Sequence, residues 1–345
     1  MWFSCATAAL IASLEAIGAI GKWIAVPPNV CPNVVAAIFG AGCKPFFVDI
    51  EPERQGMDPE RLSDIIAQVG AVVAVHAYGT PCNIDRIMRI AGQTGVAVIE
   101  DCAQADGATF SGREVGTFGD IAVFSFGKGK IIEAGGGGLA IVNNMCWAKN
   151  LENIAGQWEP GPEPDASSTL SNAFRTFYND SYPGRTQLGQ EPFFALMQEL
   201  APLFRARCIP DRIARLAEAR GHRDALVLAR RQKYRWYVEH LADLVHCVPI
   251  PLLDGAAPWR FNALIREEQR DTVFRSLLAS GISASSWYPR ISEFLPDRAL
   301  LSTELPVARH FERGLLNLWV DDSTDFQQIS QVCSRLKQEL LVRSI

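Results

Sequence analysis

Apolar runs of four or five residues recur through the first 142 positions of this 345-residue chain. They are Trp23-Ile24-Ala25-Val26, Pro45-Phe46-Phe47-Val48, Ala71-Val72-Val73-Ala74-Val75, Val96-Ala97-Val98-Ile99, Ile121-Ala122-Val123-Phe124 and Leu139-Ala140-Ile141-Val142. None alternates with polar residues, so each reads as a strand buried on both faces. Between them lie helix-forming stretches: Ala8 to Ile17 (ended by Gly18), Pro32 to Ala41, Pro59 to Val69, and Ile84 to Thr94. This alternation predicts an α/β fold with a mostly parallel central sheet covered by helices on both faces.

The pattern loosens over residues 151–220. Pro160 to Ser168 and Asn179 to Gln190 read as loops, with helical patches at Glu191 to Phe204 and Pro210 to Glu218. Leu226 to Leu244 reads as a long helix whose arginines, Arg230, Arg231 and Arg235 among them, predict a solvated face. A different unit follows: strand-like Trp259 to Ile265, a helix from Glu267 to Ser280 stopped by Gly281, and strand-like Ile282 to Tyr288. A helix near Glu304 to Arg313, a strand over Leu315 to Val320 and a last helix over Phe326 to Val342 complete it. The expectation is a large α/β domain over 1–240 and a smaller C-terminal α+β domain over 241–345.

Charge and cysteine usage narrow the classes. A net charge of -5 supplies no basic footprint for nucleic acid. The nine cysteines are scattered through apolar runs without CxxC or metal-ligand spacing, which predicts reduced thiols in a cytoplasmic protein. The apolar start, Met1 to Ile20, lacks a basic flank and is broken by Glu15 short of the ~20 residues a membrane span needs. No leader and no membrane anchor are expected.

The stretch with most chemical content is Phe124-Ser125-Phe126-Gly127-Lys128-Gly129-Lys130, followed by Ile131-Ile132-Glu133-Ala134 and the glycines Gly135 to Gly138. A lysine between two buried strands suits a Schiff-base nucleophile, and Lys130 takes that role. Asp101 closes another strand, where ligands of parallel sheets bind. Small residues open the first helix and leave its N–H groups for an anion, with Thr7, Ala8 and Ser125 as candidates. Together these suit pyridoxal 5′-phosphate (PLP): an anion site for its phosphate, a carboxylate for its ring nitrogen, and a lysine for its aldehyde. Taken singly, Thr7 also reads as an ordinary N-cap and Asp101 as a helix cap. His76 borders the site or serves the fold, both readings being open. The glycine loop is no P-loop, which needs GxxxxGK followed by Ser or Thr.

In order and spacing, several segments of residues 5–142 resemble the DegT/DnrJ/EryC1/StrS family of sugar aminotransferases, which share fold type I of the PLP-dependent transferases. The segments are Cys5-Ala6-Thr7-Ala8-Ala9-Leu10, Gly42-Cys43-Lys44-Pro45-Phe46-Phe47-Val48-Asp49, His76-Ala77-Tyr78-Gly79 and Ile99-Glu100-Asp101-Cys102-Ala103-Gln104-Ala105. Gly116-Thr117-Phe118-Gly119-Asp120 and Phe124-Ser125-Phe126, with Lys130 four residues on, complete the set. The resemblance implies that Lys130, not Lys128, bonds the cofactor, that Asp101 pairs with the pyridine nitrogen, and that Gln104 lies against the ring. It also implies that Ser125, Thr7 and Ala8 hold the phosphate. A homodimer is implied too, as is transfer of an amino group, from L-glutamate, to a nucleotide-linked keto sugar.

The chain departs from the family pattern in places. It opens almost at the phosphate helix, where relatives carry a further segment, so a truncated start or a lost segment is expected. The Gly-Glu-Gly-Gly turn is four glycines here, and Val30 and Cys31 stand where Thr and an aromatic residue are usual. The Gly-x-Asn-x-Arg-Met segment is missing. Another PLP reaction on the same frame, dehydration or elimination, and a catalytically silent homologue are the rival readings.

Overall fold

The computed structural model describes residues 1–181 and 190–341. The first half runs β1 (Trp2–Phe3), α1 (Ala6–Ala16), β2 (Trp23–Val26), α2 (Pro32–Gly40), β3 (Lys44–Phe47), α3 (Pro59–Ile65), β4 (Ala71–Val75), α4 (Ile84–Thr94) and β5 (Ala97–Asp101). A short hairpin, β6 (Thr109–Phe110) and β7 (Arg113–Glu114), precedes β8 (Ile121–Ser125) and β9 (Gly138–Val142). Local chemistry sets the helix ends. Pro32 and Pro59 occupy first-turn positions, where a missing N–H costs nothing. Asp58 accepts the Glu60 N–H at 2.8 Å as N-cap of α3, and Gly95 ends α4 at φ +69°.

Next come α5 (Ala148–Gly156), β10 (Pro160–Gly161), α6 (Ala166–Ser181), α7 (Gln190–Leu200), β11 (Arg207–Cys208), α8 (Pro210–Arg220) and α9 (Arg223–Leu241). The loop expected from Pro160 to Ser168 is thus a short strand and the start of α6. The loop expected from Asn179 to Gln190 lies, over 182–189, outside the described residues. The last third holds β12 (Cys247–Pro249), β13 (Phe261–Ile265), α10 (Glu267–Ala279), β14 (Ala284–Ser285), β15 (Leu301–Ser302), α11 (Pro306–Gly314), β16 (Leu315–Leu318) and α12 (Phe326–Leu341). Val342, the expected end of the last helix, lies outside the described residues.

Among the described residues, a ten-stranded sheet has the order β10-β11-β1-β9-β8-β5-β4-β2-β3-β15. From β15 through β8 every neighbouring pair is parallel, while β8–β9, β9–β1 and β1–β11 are antiparallel. The mostly parallel sheet expected from the apolar runs is therefore present. Its central strand β4 is buried along its whole length, with α1 and α2 packing on one face and α3 and α4 on the other. A second sheet, β12-β13-β16-β14, is antiparallel and packs with α9, α10 and α12 into its own core. That core includes Tyr234, Tyr237 and Leu241 from the end of α9, so we propose that this helix bridges the two units.

Arg230 corrects one expectation. It is 4% exposed because it lies on the face of α9 that also buries Val227, Tyr234 and Tyr237, whereas Arg235 on the opposite face is exposed as expected.

Candidate active site

The carboxyl ends of β4, β5 and β8 open into a cavity of about 1180 Å³. The strands place its floor: Val75 pairs with Asp101 and Asp101 with Val123, so the last residues of β4 and β5 stand beside Val123, two residues before the end of β8. Asp101 is 6% exposed. Its Oδ1 accepts the Ala103 N–H at 2.9 Å, and Oδ2 has no partner among the described residues. Burial pushes this carboxyl above the usual aspartate range, opposed by the Ala103 amide and the charge of Lys130.

Lys130 follows β8 in a turn closed by its own N–H to the Gly127 carbonyl, 3.3 Å. Later parts of the chain hold this turn. The Trp259 indole donates to the Gly129 carbonyl at 2.8 Å, and Arg230 Nη2 to the Lys130 carbonyl at 3.3 Å. Both Lys128 and Lys130 line the cavity, Lys130 half-buried and Lys128 exposed.

The start of α1 forms the adjoining wall. Cys5 forms a bridge with Gly137, and Gly138 pairs with Ser125, which brings the helix start beside Ser125. A Cβ on Gly138 would stand 2.3 Å from the Cys5 carbonyl, so only glycine permits the approach. The N-cap is Cys5, whose Sγ accepts the Ala8 N–H at 3.4 Å; Thr7 lies inside the helix and lines the cavity. Thr7 as an ordinary N-cap is thereby corrected. Ala8 is wholly buried and is not among the residues lining the cavity.

Gln104 lines the opposite side. Its Oε1 accepts the Tyr78 N–H at 2.7 Å and its Nε2 donates to the Tyr288 hydroxyl at 3.4 Å. Tyr288 comes from the second unit, stacks on Trp259 with ring centroids 6.1 Å apart, and donates its own N–H to the Tyr78 hydroxyl at 3.0 Å.

His76 does not line the cavity. Its ring is 0% exposed: Nδ1 accepts the Cys82 N–H at 3.1 Å, which leaves Nε2 to donate to Glu100 at 3.1 Å. Glu100 also accepts the amides of Gly116, Phe118 and Gly119. Burial opposes its charge, but His76 and those amides hold its carboxyl below the usual range. The Cys102 thiol lies close by, yet every polar atom of the His76–Glu100 pair is already engaged.

Further side chains enter that the sequence patterns did not single out. Glu163 stands near Ser125 across Gly127, and burial raises its carboxyl against the pull of Arg212. The Ser- and Asn-rich face of α6, with Trp287, Arg230 and Arg260, completes the cavity. Asn33 ties that face to α2 by donating to Ser167 at 2.8 Å.

Fold and site together define an α/β protein of the fold of the type I PLP-dependent transferases. The solved aminotransferase TlmJ from Streptoalloteichus hindustanus superposes with a TM-score of 0.80 at 21% identity, over 100% of this chain and 86% of that one. The model of the DegT/DnrJ/EryC1/StrS aminotransferase family matches residues 2–157 of this chain. Over 153 residues it is 35% identical to the L-glutamine:2-deoxy-scyllo-inosose aminotransferase of Streptomyces kanamyceticus, 44% of this chain and only 36% of that protein. Over 97% of its length it is 26% identical to the UDP-N-acetyl-3-dehydro-alpha-D-glucosamine 3-aminotransferase of Acidithiobacillus ferrooxidans, covering 82% of the relative.

Proposed function

We propose that the protein is a PLP-dependent aminotransferase that moves an amino group from an amino acid, L-glutamate foremost, to a nucleotide-linked keto sugar. The observation that carries this is the convergence of Lys130 and the buried Asp101 on one cavity beside the start of α1. The residues present fit the cofactor. A carboxylate pushed above its usual range, with one oxygen unpartnered among the described residues, suits a protonated ring nitrogen. The Ala6 and Thr7 amides with the Ser125 and Thr7 hydroxyls suit a phosphate. The names of the relatives, which act on an inosose and on a UDP-linked 3-dehydro sugar, support the acceptor class.

When bound, PLP supplies an electron sink for the bond broken at the amino carbon. Lys130 Nζ would hold the cofactor and would carry the proton to and from the amino carbon. Asp101 would keep a proton on the ring nitrogen. Gln104, fixed by Tyr78 and Tyr288, positions the ring, and Tyr288 and Trp259 exclude water from that side. We further infer a homodimer working in the cytoplasm. All nine cysteines are free thiols, and no helix among the described residues is long and apolar enough to cross a membrane.

The test is the visible spectrum of the purified protein with PLP, before and after L-glutamate. The expected result is a cofactor band that bleaches with the amino donor. A band that ignores amino acids would favour the silent-homologue reading, and no band would end the cofactor assignment.

A further inference from the structure

The charge next to the proposed phosphate wall has the wrong sign for an anion site. A Cβ on Gly127 would stand 3.8 Å from both carboxylate oxygens of Glu163 and 3.9 Å from the Ser125 hydroxyl, so carboxylate and hydroxyl flank the same space. Burial raises the Glu163 carboxyl, while Arg212, a hydrogen bond from Ser167 and the charge of Lys130 pull it down. Its own charge reaches Cys5, the cap of α1: burial pushes that thiol up to about 11, and Glu163 adds to the rise. A carboxylate among a helix start, a serine and a lysine stands where an incoming phosphate would stand. Two anions do not share such a space.

An alternative partner for the carboxylate stands on its other side. Arg212, in the first turn of α8, is half-buried, and its Nε and Nη1 have no partner among the described residues. Guanidinium donors that are out of water and unmet are costly, and a carboxylate is their best complement. The two groups meet over one residue. A Cβ on Gly136 would overlap Glu163 Oε2 and stand 2.9 Å from Arg212 Nη1, and the φ of +117° there favours glycine alone. A rotation of the Glu163 side chain therefore carries its carboxylate from the Ser125 side to Arg212 across bare backbone.

We propose that Glu163 is a stand-in for the cofactor's phosphate: its carboxylate occupies the anion site while that site is empty and withdraws to Arg212 when the phosphate enters. This rests on the phosphate wall assigned under the PLP reading above. Arg212 is then the receiver of a displaced carboxylate and not a ligand of the phosphate. The empty protein keeps an anion at its anion site, and the filled one pairs the two charges behind it.

The experiment titrates the cofactor-free full chain at neutral pH with PLP and with pyridoxal, which lacks the phosphate. The proteins are wild type, Glu163→Gln, Arg212→Gln and the double variant Glu163→Gln/Arg212→Gln. Glu163→Gln should tighten PLP at least about threefold, since a neutral amide competes less for the site. Arg212→Gln should weaken PLP at least about tenfold, because the displaced carboxylate has no partner. Pyridoxal affinity should stay within about twofold throughout, which a general loss of packing would not allow. The double variant separates receiver from ligand: it should bind PLP within about twofold of Glu163→Gln alone, because without the carboxylate there is nothing to receive. Its binding also shows that the fold survives the loss of Arg212. An equal loss from Arg212→Gln in both backgrounds, or no loss in either, would overturn the proposal. So would unchanged or weaker PLP binding in Glu163→Gln, and each of these leaves the cofactor reading in place. A wild type that binds PLP no better than pyridoxal would overturn the phosphate wall, and one that binds neither would overturn the cofactor reading, the stand-in falling with both.

Discussion

The two walls of the cavity are built in contrasting ways. One side comes from residues 5–130, where the chemical groups sit at the start of a helix, at the end of a strand or in the turn that follows one, and the sheet register sets the spacing. The other comes from residues 163–323, where the groups sit on helix faces and connecting segments of a second unit. The first wall falls within the stretch that matches the family, and the second lies outside it. A shared cofactor demands the same groups in the same places. Substrates differ, and loops and helix faces can change without disturbing the sheet.

The sharpest way to break this contrast is at Lys130. Lys130→Ala should lose amino transfer by about 10³-fold or more, read from the glutamate half-reaction, while the neighbouring Lys128→Ala stays within a few-fold. Equal losses would mean that the turn, not the amine, is what matters.

Asp101 is next. Asp101→Asn should lower turnover by about 10²-fold or more, because the ring nitrogen no longer has a carboxylate to keep its proton. Stability should move the other way. The folded-state pKa of Asp101 is raised, so stability is full below the ordinary aspartate value and falls as pH rises through the raised one. At neutral pH the cofactor-free Asn variant should therefore melt higher than wild type.

His76 sharpens the line between site and frame. His76→Ala should cost about 2–3 kcal/mol in urea unfolding, by removing a charge-assisted hydrogen bond to Glu100 and leaving a cavity. PLP bound per folded molecule should be unchanged.

The smallest effect belongs to Glu163, beside the proposed phosphate wall. Its raised carboxyl loses its proton as pH climbs above the ordinary glutamate value of about 4.3, and a negative charge then faces the anion site. PLP affinity should fall a few-fold across that window, and Glu163→Gln should flatten the titration.

Much of the first wall was legible before any coordinates. The apolar runs became β2, β3, β4, β5, β8 and β9, because buried parallel strands need no alternation. The second wall was not, for physical reasons that differ from residue to residue. Arg230 stands in a helix rich in charge, and composition does not say which turn meets another element. Helix α6 is dense in Ser, Thr and Asn, residues that compete with the helical backbone, and its two ends, to Ser168 and from Asn179, read as loop. The strand expected over Ile282 to Tyr288 shrinks to Ala284–Ser285, since Trp287 and Tyr288 turn toward the cavity instead.

The turn that carries Lys130 has a consequence for the timing of synthesis. Two of its carbonyls are met by side chains that follow it by 100 and 130 residues, Arg230 and Trp259. A ribosome therefore releases Thr7, Asp101 and Ser125 of the first wall long before the turn that carries Lys130 acquires these supports. On the function proposed above, capture of PLP by the emerging chain should lag behind folding of the sheet.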